Sequence, residues 1–361
     1  MARIALLTGG ASPERDVAYA SASQLVPTLR TLGHEVAVVD TVDGPLEPAR
    51  ERELLDPGVA RTPPTVSEIA RLAAREKLPA LVAGEALRGV DLVVLALHGG
   101  VYEGGPLQAL LDLAGLRYTG SGALGSAMAM DKEVSKRLLA AAGLPVVPWV
   151  SIRREELRAN PEAAAERALR ELGLPVFVKP ANLGSSVGIS KVKQGSELVP
   201  ALFEAARYDR KLLVERAVDA REIEVALLGN DPIEASVVGE IRTRREWYDY
   251  EAKYVDEDTE LLIPAPIDEA QSRAARELAI AAAGILEGAG LARVDFLLDR
   301  RTGALFVNEV NSLPGFTEGS MYPRLWEASG LPYAALLDRL IELALERHRE
   351  KLELETLYRR S

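Results

Sequence analysis

The stretch Ala292-Arg293-Val294-Asp295-Phe296-Leu297-Leu298-Asp299-Arg300-Arg301-Thr302-Gly303-Ala304-Leu305-Phe306-Val307-Asn308-Glu309-Val310-Asn311 reads as two short strands around a turn. The polar run Asp299 to Gly303 supplies the turn chemistry. Side chains alternate along a strand, so Arg293 and Asp295 share one face, as do Glu309 and Asn311. With the turn centred near Thr302 those faces coincide, and Asp295 sits roughly opposite Glu309. Two carboxylates and an amide oxygen packed together repel unless a cation lies between them. Oxygen-only ligands with incomplete coverage suit Mg²⁺, which keeps waters and takes phosphate oxygens as its remaining ligands. The plainer reading is an edge strand with its polar face in water. Ligand-type residues on both strands favour Asp295, Glu309 and Asn311 as metal ligands.

Working outward, Val176-Phe177-Val178-Lys179-Pro180 reads as a strand ending in the small-residue run Ala181 to Gly188. Such a run lets backbone N–H groups approach a phosphate, and a strand-borne lysine adds a point charge. A plain hairpin turn explains the run equally well when it is taken alone. Beside the carboxylate strands it reads as a nucleotide site. It is not a P-loop, which needs Gly-Lys-Ser/Thr opening a helix.

The first third alternates strand and helix: strands at Arg3–Leu7, Glu35–Asp40 and Val90–Leu97, with a helix starting near Ser12-Pro13-Glu14 and Ser12 as its cap. This pattern predicts a mostly parallel sheet covered on both faces, with ligands beyond the carboxyl ends of its strands. Gly9-Gly10 and Gly99-Gly100 lie there. Thr41 to Gly89 reads as a surface insertion with a helix or two. Further on, Leu124 to Ala142 reads as one helix and Pro161 to Leu172 as another. Lys211–Ala217, Glu222–Leu228 and Ile233–Ile241 read as strands of one antiparallel meander, and Asp268 to Glu287 as a helix. Thr243 to Glu260 is polar yet carries Trp247, Tyr248, Tyr250 and Tyr254, the composition of a lid. Glu346 to Arg360 reads as a solvated helix face.

Composition bounds the function. The chain has 361 residues, 43 Lys+Arg against 54 Asp+Glu for a net charge of −11, 48% hydrophobic residues and no cysteine. That length exceeds one ordinary core and predicts two or three packed lobes. The apolar share excludes a disordered or fibrous chain. Without cysteine there is no disulfide, thiolate nucleophile or thiolate zinc site. The acidic balance and few aromatics argue against nucleic acid. No apolar run reaches the ~18 residues of a membrane helix, and the N-terminal run is too short for a signal peptide. These features predict a soluble protein of a reducing compartment.

Taken singly, the other candidates have bland readings. Lys132 after Met130-Asp131 reads as a solvated lysine, Glu14 as a helix-dipole carboxylate and His98 as a satisfied core histidine. Gly315 to Met321 could hold a substrate carboxylate through its backbone donors and Ser320, or simply turn the chain.

Together these segments resemble the D-alanine–D-alanine ligase family of the ATP-grasp superfamily over nearly the whole chain. The resemblance rests on seven motifs in order. They are Gly9-Gly10-Ala11-Ser12-Pro13-Glu14-Arg15; His98-Gly99; Gly120-Ser121-Gly122 with Met130-Asp131-Lys132; and Val178-Lys179-Pro180 with Gly184-Ser185-Ser186-Val187-Gly188. The remaining three are Tyr248-Asp249-Tyr250-Glu251-Ala252-Lys253-Tyr254; Arg293-Val294-Asp295; and Asn308-Glu309-Val310-Asn311-Ser312-Leu313-Pro314-Gly315. It implies a three-lobed ATP-grasp fold of the α/β and α+β classes. An N-terminal parallel α/β lobe at 1–120 would precede a central lobe at 121–214 and a C-terminal lobe at 215–361, with a lid at 243–260.

The resemblance further implies ATP and two Mg²⁺ ions, with Mn²⁺ able to substitute, held at Asp295, Glu309 and Asn311. Lys132 and Lys179 would contact the phosphates, with Lys253 and Asn308 also at the nucleotide. Glu215, Arg216, Ala217 and Val218 would line the adenine edge, and Glu222 the ribose. Ala217 stands where the family often has an aromatic. Glu14 would pair with the first D-alanine's ammonium and be linked through Ser185 to Tyr254. His98, Arg293 and Gly315 would flank the substrates, and Ser320 and Met321 would take the second carboxylate. The implied activity is ligation of two D-alanines through D-alanyl phosphate for peptidoglycan precursors, by a cytoplasmic homodimer with neither nucleic-acid nor membrane partners.

Three rivals stay open at this stage: a ligase joining D-alanine to D-lactate, an ATP-grasp carboxylate–amine ligase with other substrates, and a nucleotide-binding protein without turnover. The resemblance implies that a tyrosine at the Tyr254 position goes with the dipeptide and not the D-lactate product. A dinucleotide-dependent oxidoreductase is set aside because Gly9-Gly10 lacks the third glycine of that fingerprint.

Overall fold

The computed structural model describes residues 1–56, 64–184, 187–243, 259–317 and 319–354. The expectations at Ser185, Lys253, Tyr254 and most of the lid fall outside these residues, as does the end of the tail.

β1 (Arg3–Thr8), β2 (Glu35–Asp40), the two-residue β3 (Gly44–Pro45) and β4 (Leu92–Leu95) form the first sheet in the order β3-β2-β1-β4. β1 pairs in parallel with β2 and β4, and β3 runs antiparallel to β2. Both faces are covered. Ile4 and Leu6 enter one apolar core with the helices Arg15–Thr31 and Tyr333–Glu353, while Ala5 and Leu7 enter another with Leu107 and Leu111. A strand buried on both sides needs apolar residues along its buried run, which is why Ile4 to Leu7 show no alternation.

The second sheet, β5 (Trp149–Arg153), β6 (Val176–Pro180), β7 (Ser190–Val192) and β8 (Lys211–Arg216), is antiparallel in the order β5-β8-β6-β7. Helices Pro161–Leu172 and Leu198–Ala205 back it, around Val150, Val178, Leu202 and Val214. The third sheet is antiparallel in the order β11-β10-β9-β12-β13, from β9 (Ala220–Gly229), β10 (Glu234–Arg242), β11 (Glu260–Leu262), β12 (Gly290–Asp299) and β13 (Leu305–Asn311). The helix Glu269–Ile285 packs on one face of it. The helix Met321–Ala328 packs on the other and merges there with the core of the first sheet.

Three expectations change. β8 does not join β9 and β10 in a meander, because it pairs with β5 and β6 in the second sheet. The helix expected over 124–142 is two helices, Ala123–Met130 and Lys132–Ala141. Asp131 lies between them in extended conformation, and its side chain accepts the Val134 N–H, so it caps the second helix. Ser12 does not cap the first helix, which begins at Arg15. Its hydroxyl accepts the Glu14 N–H at 3.0 Å and donates to the His98 carbonyl at 3.2 Å, joining the loops after β1 and β4. The 41–89 segment carries helices Pro48–Leu55, Val66–Arg75 and Leu78–Ala83. Among the described residues no helix is long and apolar enough to cross a membrane.

Candidate active site

The β12–β13 turn is set locally. The Asp299 side chain accepts the Arg301 and Thr302 N–H groups, and the Gly303 N–H donates to the Asp299 carbonyl. The resulting register pairs Asp295 with Glu309 and Arg293 with Asn311, as the alternation predicts. A bulge beside Asp295 leaves Asn308 as the extra residue on β13. On its other side Asp295 faces Glu224 of β9.

Here the carboxylates meet counter-charges. Arg293 grips Asp295 with Nε to Oδ1 at 2.7 Å and Nη2 to Oδ2 at 2.8 Å, and its Nε lies 3.0 Å from Glu224. Asn311 Nδ2 donates to Asp295 at 2.9 Å, and Lys132 Nζ lies 3.4 Å from Glu309. Among the described residues no three His, Asp or Glu side chains converge as a metal cluster. A cation here would therefore rely on Asp295, Glu309, the Asn311 amide oxygen and oxygens of a bound ligand. That hard, incomplete oxygen set fits Mg²⁺.

Two lysines face these strands. Asp131 breaks the helix just before Lys132, whose N–H donates to Ala181 at 3.0 Å and whose Nζ donates to the Leu183 carbonyl at 2.7 Å. Lys179 on β6 donates to Glu215 at 2.8 Å, and the fully buried Lys136 lies 3.4 Å from the other Glu215 oxygen. Burial works against charge on all three. For Glu215 the two lysines more than offset it and lower its pKa, and for Lys179 the Glu215 carboxylate does so and raises its pKa. Lys136 keeps a lowered pKa, because its burial outweighs the Glu215 carboxylate and Lys179 repels it.

At the other end, Glu14 follows the glycine loop after β1. A Cβ on Gly99, which has a φ of +67°, would lie 2.4 Å from a Glu14 carboxylate oxygen. Only glycine leaves room for Glu14 there. His98 is buried, its Nδ1 3.0 Å from the Leu313 carbonyl and its Nε2 3.2 Å from the Ser21 hydroxyl. A carbonyl only accepts, so Nδ1 carries the proton and Nε2 accepts from Ser21. Burial lowers the His98 pKa, in keeping with a neutral ring. Gly315 abuts the Ser320 hydroxyl, which accepts the Thr317 N–H at 2.9 Å.

These groups open onto one cavity of about 860 Å³. Glu14, His98, Lys132, Lys179, Glu215 to Val218, Glu222, Arg293, Asp295, Asn308, Glu309, Asn311, Gly315, Ser320 and Met321 all line it. Sequence reasoning missed three residues. Glu224 escaped because its partner Arg293 lies far away in sequence, and Lys136 because a lysine four residues after Lys132 looks solvated. Glu103 accepts the Gly99 N–H at 3.1 Å and the Leu313 N–H at 3.2 Å. Burial, then the neighbouring Glu14 charge, pushes its pKa up to about 7. Its only signal was a lone carboxylate in the glycine-flanked run Val101-Tyr102-Glu103-Gly104-Gly105. The cavity thus offers cationic and oxygen groups for a metal-bound polyphosphate and a carboxylate, Glu14, for an ammonium.

Comparisons with known proteins agree with this arrangement. Residues 3–121 match the family model described as D-ala D-ala ligase N-terminus, and residues 138–342 match D-ala D-ala ligase C-terminus. A protein of Heliobacterium modesticaldum named D-alanine–D-alanine ligase is 42% identical over 363 residues, covering 96% of each chain. One of the same name from Geobacillus kaustophilus is 41% identical over 362 residues, covering 97% of this chain and 96% of its own. The solved structure of the D-alanine-D-alanine ligase from Coxiella burnetii superposes with a TM-score of 0.78 at 32% identity, over 98% of both chains. VanG D-Ala:D-Ser ligase from Enterococcus faecalis gives 0.79 at 30% identity, over 95% of this chain and 99% of that one.

Proposed function

We infer the reaction from one premise: the chain belongs to the D-alanine–D-alanine ligase family, which it matches along nearly its whole length. It is an ATP-dependent ligase that joins two D-alanines through D-alanyl phosphate, for peptidoglycan precursor synthesis. A carboxylate is a poor acyl donor because its leaving group would be oxide. Transfer of the γ-phosphoryl group from ATP makes an acyl phosphate whose leaving group is phosphate.

The residue roles are our proposal. Lys132 and Lys179 hold the ATP phosphates, with Lys253 and Asn308 beside them; Glu215 to Val218 border the adenine and Glu222 the ribose. Asp295, Glu309 and Asn311 would hold two Mg²⁺ ions, which when bound offset the negative charge on the triphosphate. Glu14 anchors the first D-alanine's ammonium, with Ser185 and Tyr254 completing that end. Neutral His98 fixes the Leu313 turn that carries Gly315. The second D-alanine, its carboxylate on Ser320 and the Met321 backbone, attacks the acyl carbon through its deprotonated amine, and phosphate leaves. Arg293 and the Gly315 N–H stabilise the developing oxyanion, worth ~3–4 kcal/mol per donor in comparable sites. The 243–260 lid closes against water. We further propose lobes at 1–120, 121–214 and 215–361, a homodimer, a cytoplasmic location and no nucleic-acid or membrane partner.

The observation that carries this reading is the single cavity bordered by the β12–β13 carboxylates, both lysines and Glu14. Its test is ATP hydrolysis across a panel of D-amino and D-hydroxy acids, with mass spectrometry of the products. Phosphate release should require D-alanine and yield the dipeptide. Release independent of D-alanine, or a preferred D-serine or D-lactate product, would count against it.

A further inference from the structure

We infer that the 41–89 segment serves the first-substrate site, with Glu76, acting through Tyr102, as a positioning residue for the glycine loop that leads to Glu14. Glu76 directly follows the helix Val66–Arg75 and is half-buried. Both of its oxygens lie within reach of the Tyr102 hydroxyl, at 2.7 and 2.8 Å, and one also accepts the Thr41 hydroxyl. Tyr102 is fully buried in the short helix Gly100–Glu103, just past the His98-Gly99 turn. Its hydroxyl has one proton, which goes to Glu76, so the oxygen is free to accept. It accepts the Ala11 N–H at 2.5 Å. Hydrogen bonds in such a chain strengthen one another, and the carboxylate makes the phenol oxygen a better acceptor for Ala11.

The same ring shapes the loop sterically. Gly10 has a φ of +93°, and a Cβ there would lie 2.8 Å from the Tyr102 ring, so loop and ring are in direct contact. On its other side the loop is held by Arg15, which donates to the Gly10 carbonyl at 2.8 Å and to Asp40 at 2.8 Å. That side is built from β2 and the first helix. The 41–89 segment meets that side only through Asp43, 3.7 Å from Arg15, but on the Tyr102 side it supplies both Glu76 and Thr41, and its helix Val66–Arg75 is tied down by an ion pair from Arg75 to Asp43. The segment therefore braces Ala11, three residues before Glu14. A loop free to shift would move the Glu14 carboxylate out of its pocket over Gly99. Glu76 does not border the cavity, so its influence should fall on one binding step and not on ATP.

The inference rests on Glu14 as the ammonium anchor, so Glu14→Gln is the reference variant. D-alanine saturation curves at saturating ATP, resolved into first and second sites, are compared for Tyr102→Phe, Glu76→Ala, Glu76→Gln and the Tyr102→Phe/Glu76→Ala pair. Melting temperatures confirm folding. Each of Tyr102→Phe and Glu76→Ala should raise the first-site KM about five- to tenfold, the scale of one lost hydrogen bond. The second-site KM and the ATP KM should stay within about twofold. Glu76→Gln, which keeps an acceptor for Tyr102, should recover most of the loss. The double variant should be no worse than the worse single one, because both cut the same chain. An effective Glu14→Gln beside folded single variants with unchanged first-site KM would overturn the inference alone. A double variant showing the product of the two single effects would overturn it too. A silent Glu14→Gln would remove the ammonium anchor and the inference with it.

Discussion

Arg293, which we propose stabilises the oxyanion, is held in place by its neighbours. Its guanidinium is fastened to Asp295 by two hydrogen bonds and lies against Glu224, so neighbouring carboxylates on β12 and β9 fix its orientation. Arg293→Ala should lower kcat by about 10²–10³ while ATP binding changes by less than about threefold. Turnover and nucleotide titration on the same preparation check this, and near-normal turnover would remove Arg293 from the chemistry. Glu103 carries a pH signature. Its folded pKa of about 7 lies above the ordinary 4.5, so the folded protein binds an extra proton between those values. The stability this contributes is full below 4.5 and is lost as pH rises through about 7. Glu103→Gln, neutral throughout, should show a smaller fall in melting temperature between about pH 6 and about pH 8 than the natural protein. Equal slopes would mean that another group titrates. His98 has the opposite sign: burial lowers its pKa, so its cost to the fold grows as pH falls below 6.5.

Among the elements, the break at Asp131 matters most for the site. Alanine-rich, methionine-rich sequence before it and good helix formers after it would favour one continuous helix. Asp131 instead caps the second helix and pairs with Lys211, and the bend delivers Lys132 to the Ala181–Leu183 loop. Asp131→Ala removes both the cap and the ion pair. It should cost about 1–2 kcal/mol of stability and raise the KM for ATP, whereas Asp131→Asn should keep the cap and lose less. Thermal melting with ATP saturation kinetics measures both. An unchanged ATP KM in Asp131→Ala would show that Lys132 does not depend on the bend. The β12–β13 pair behaves differently, since its turn and register follow from neighbouring residues.

For the whole molecule, the cores are unequally shared. The first sheet and the C-terminal helices share one core, with Ile4, Leu6 and Val94 beside Leu291, Tyr322 and Leu340. The second sheet has a separate core around Val178, Leu202 and Val214. A separate core should let this part of the chain open without disturbing the first sheet. Leu202→Ala should cost about 2–5 kcal/mol locally. Hydrogen exchange should then show lost protection over residues 149–216, with the first sheet left protected. Uniform loss across the chain would mean that the lobes unfold together.

Much of this protein was legible from sequence because its governing contacts are local. The alternation along β12 and β13, with a turn stabilised by Asp299, was enough to bring Asp295 opposite Glu309. The apolar β1, ending in glycines, was enough to indicate a strand buried on both faces. The second group of features depended on contacts between residues far apart in sequence. Which sheet β8 joins, the bracing of Ala11 by Glu76 through Tyr102, and the grip of His98 and Glu103 on Leu313 all link segments tens to hundreds of residues apart. No periodicity encodes such pairings. They exist only once packing has brought the chain's loops together, and the burial that accompanies packing then changes the charge of the groups it encloses.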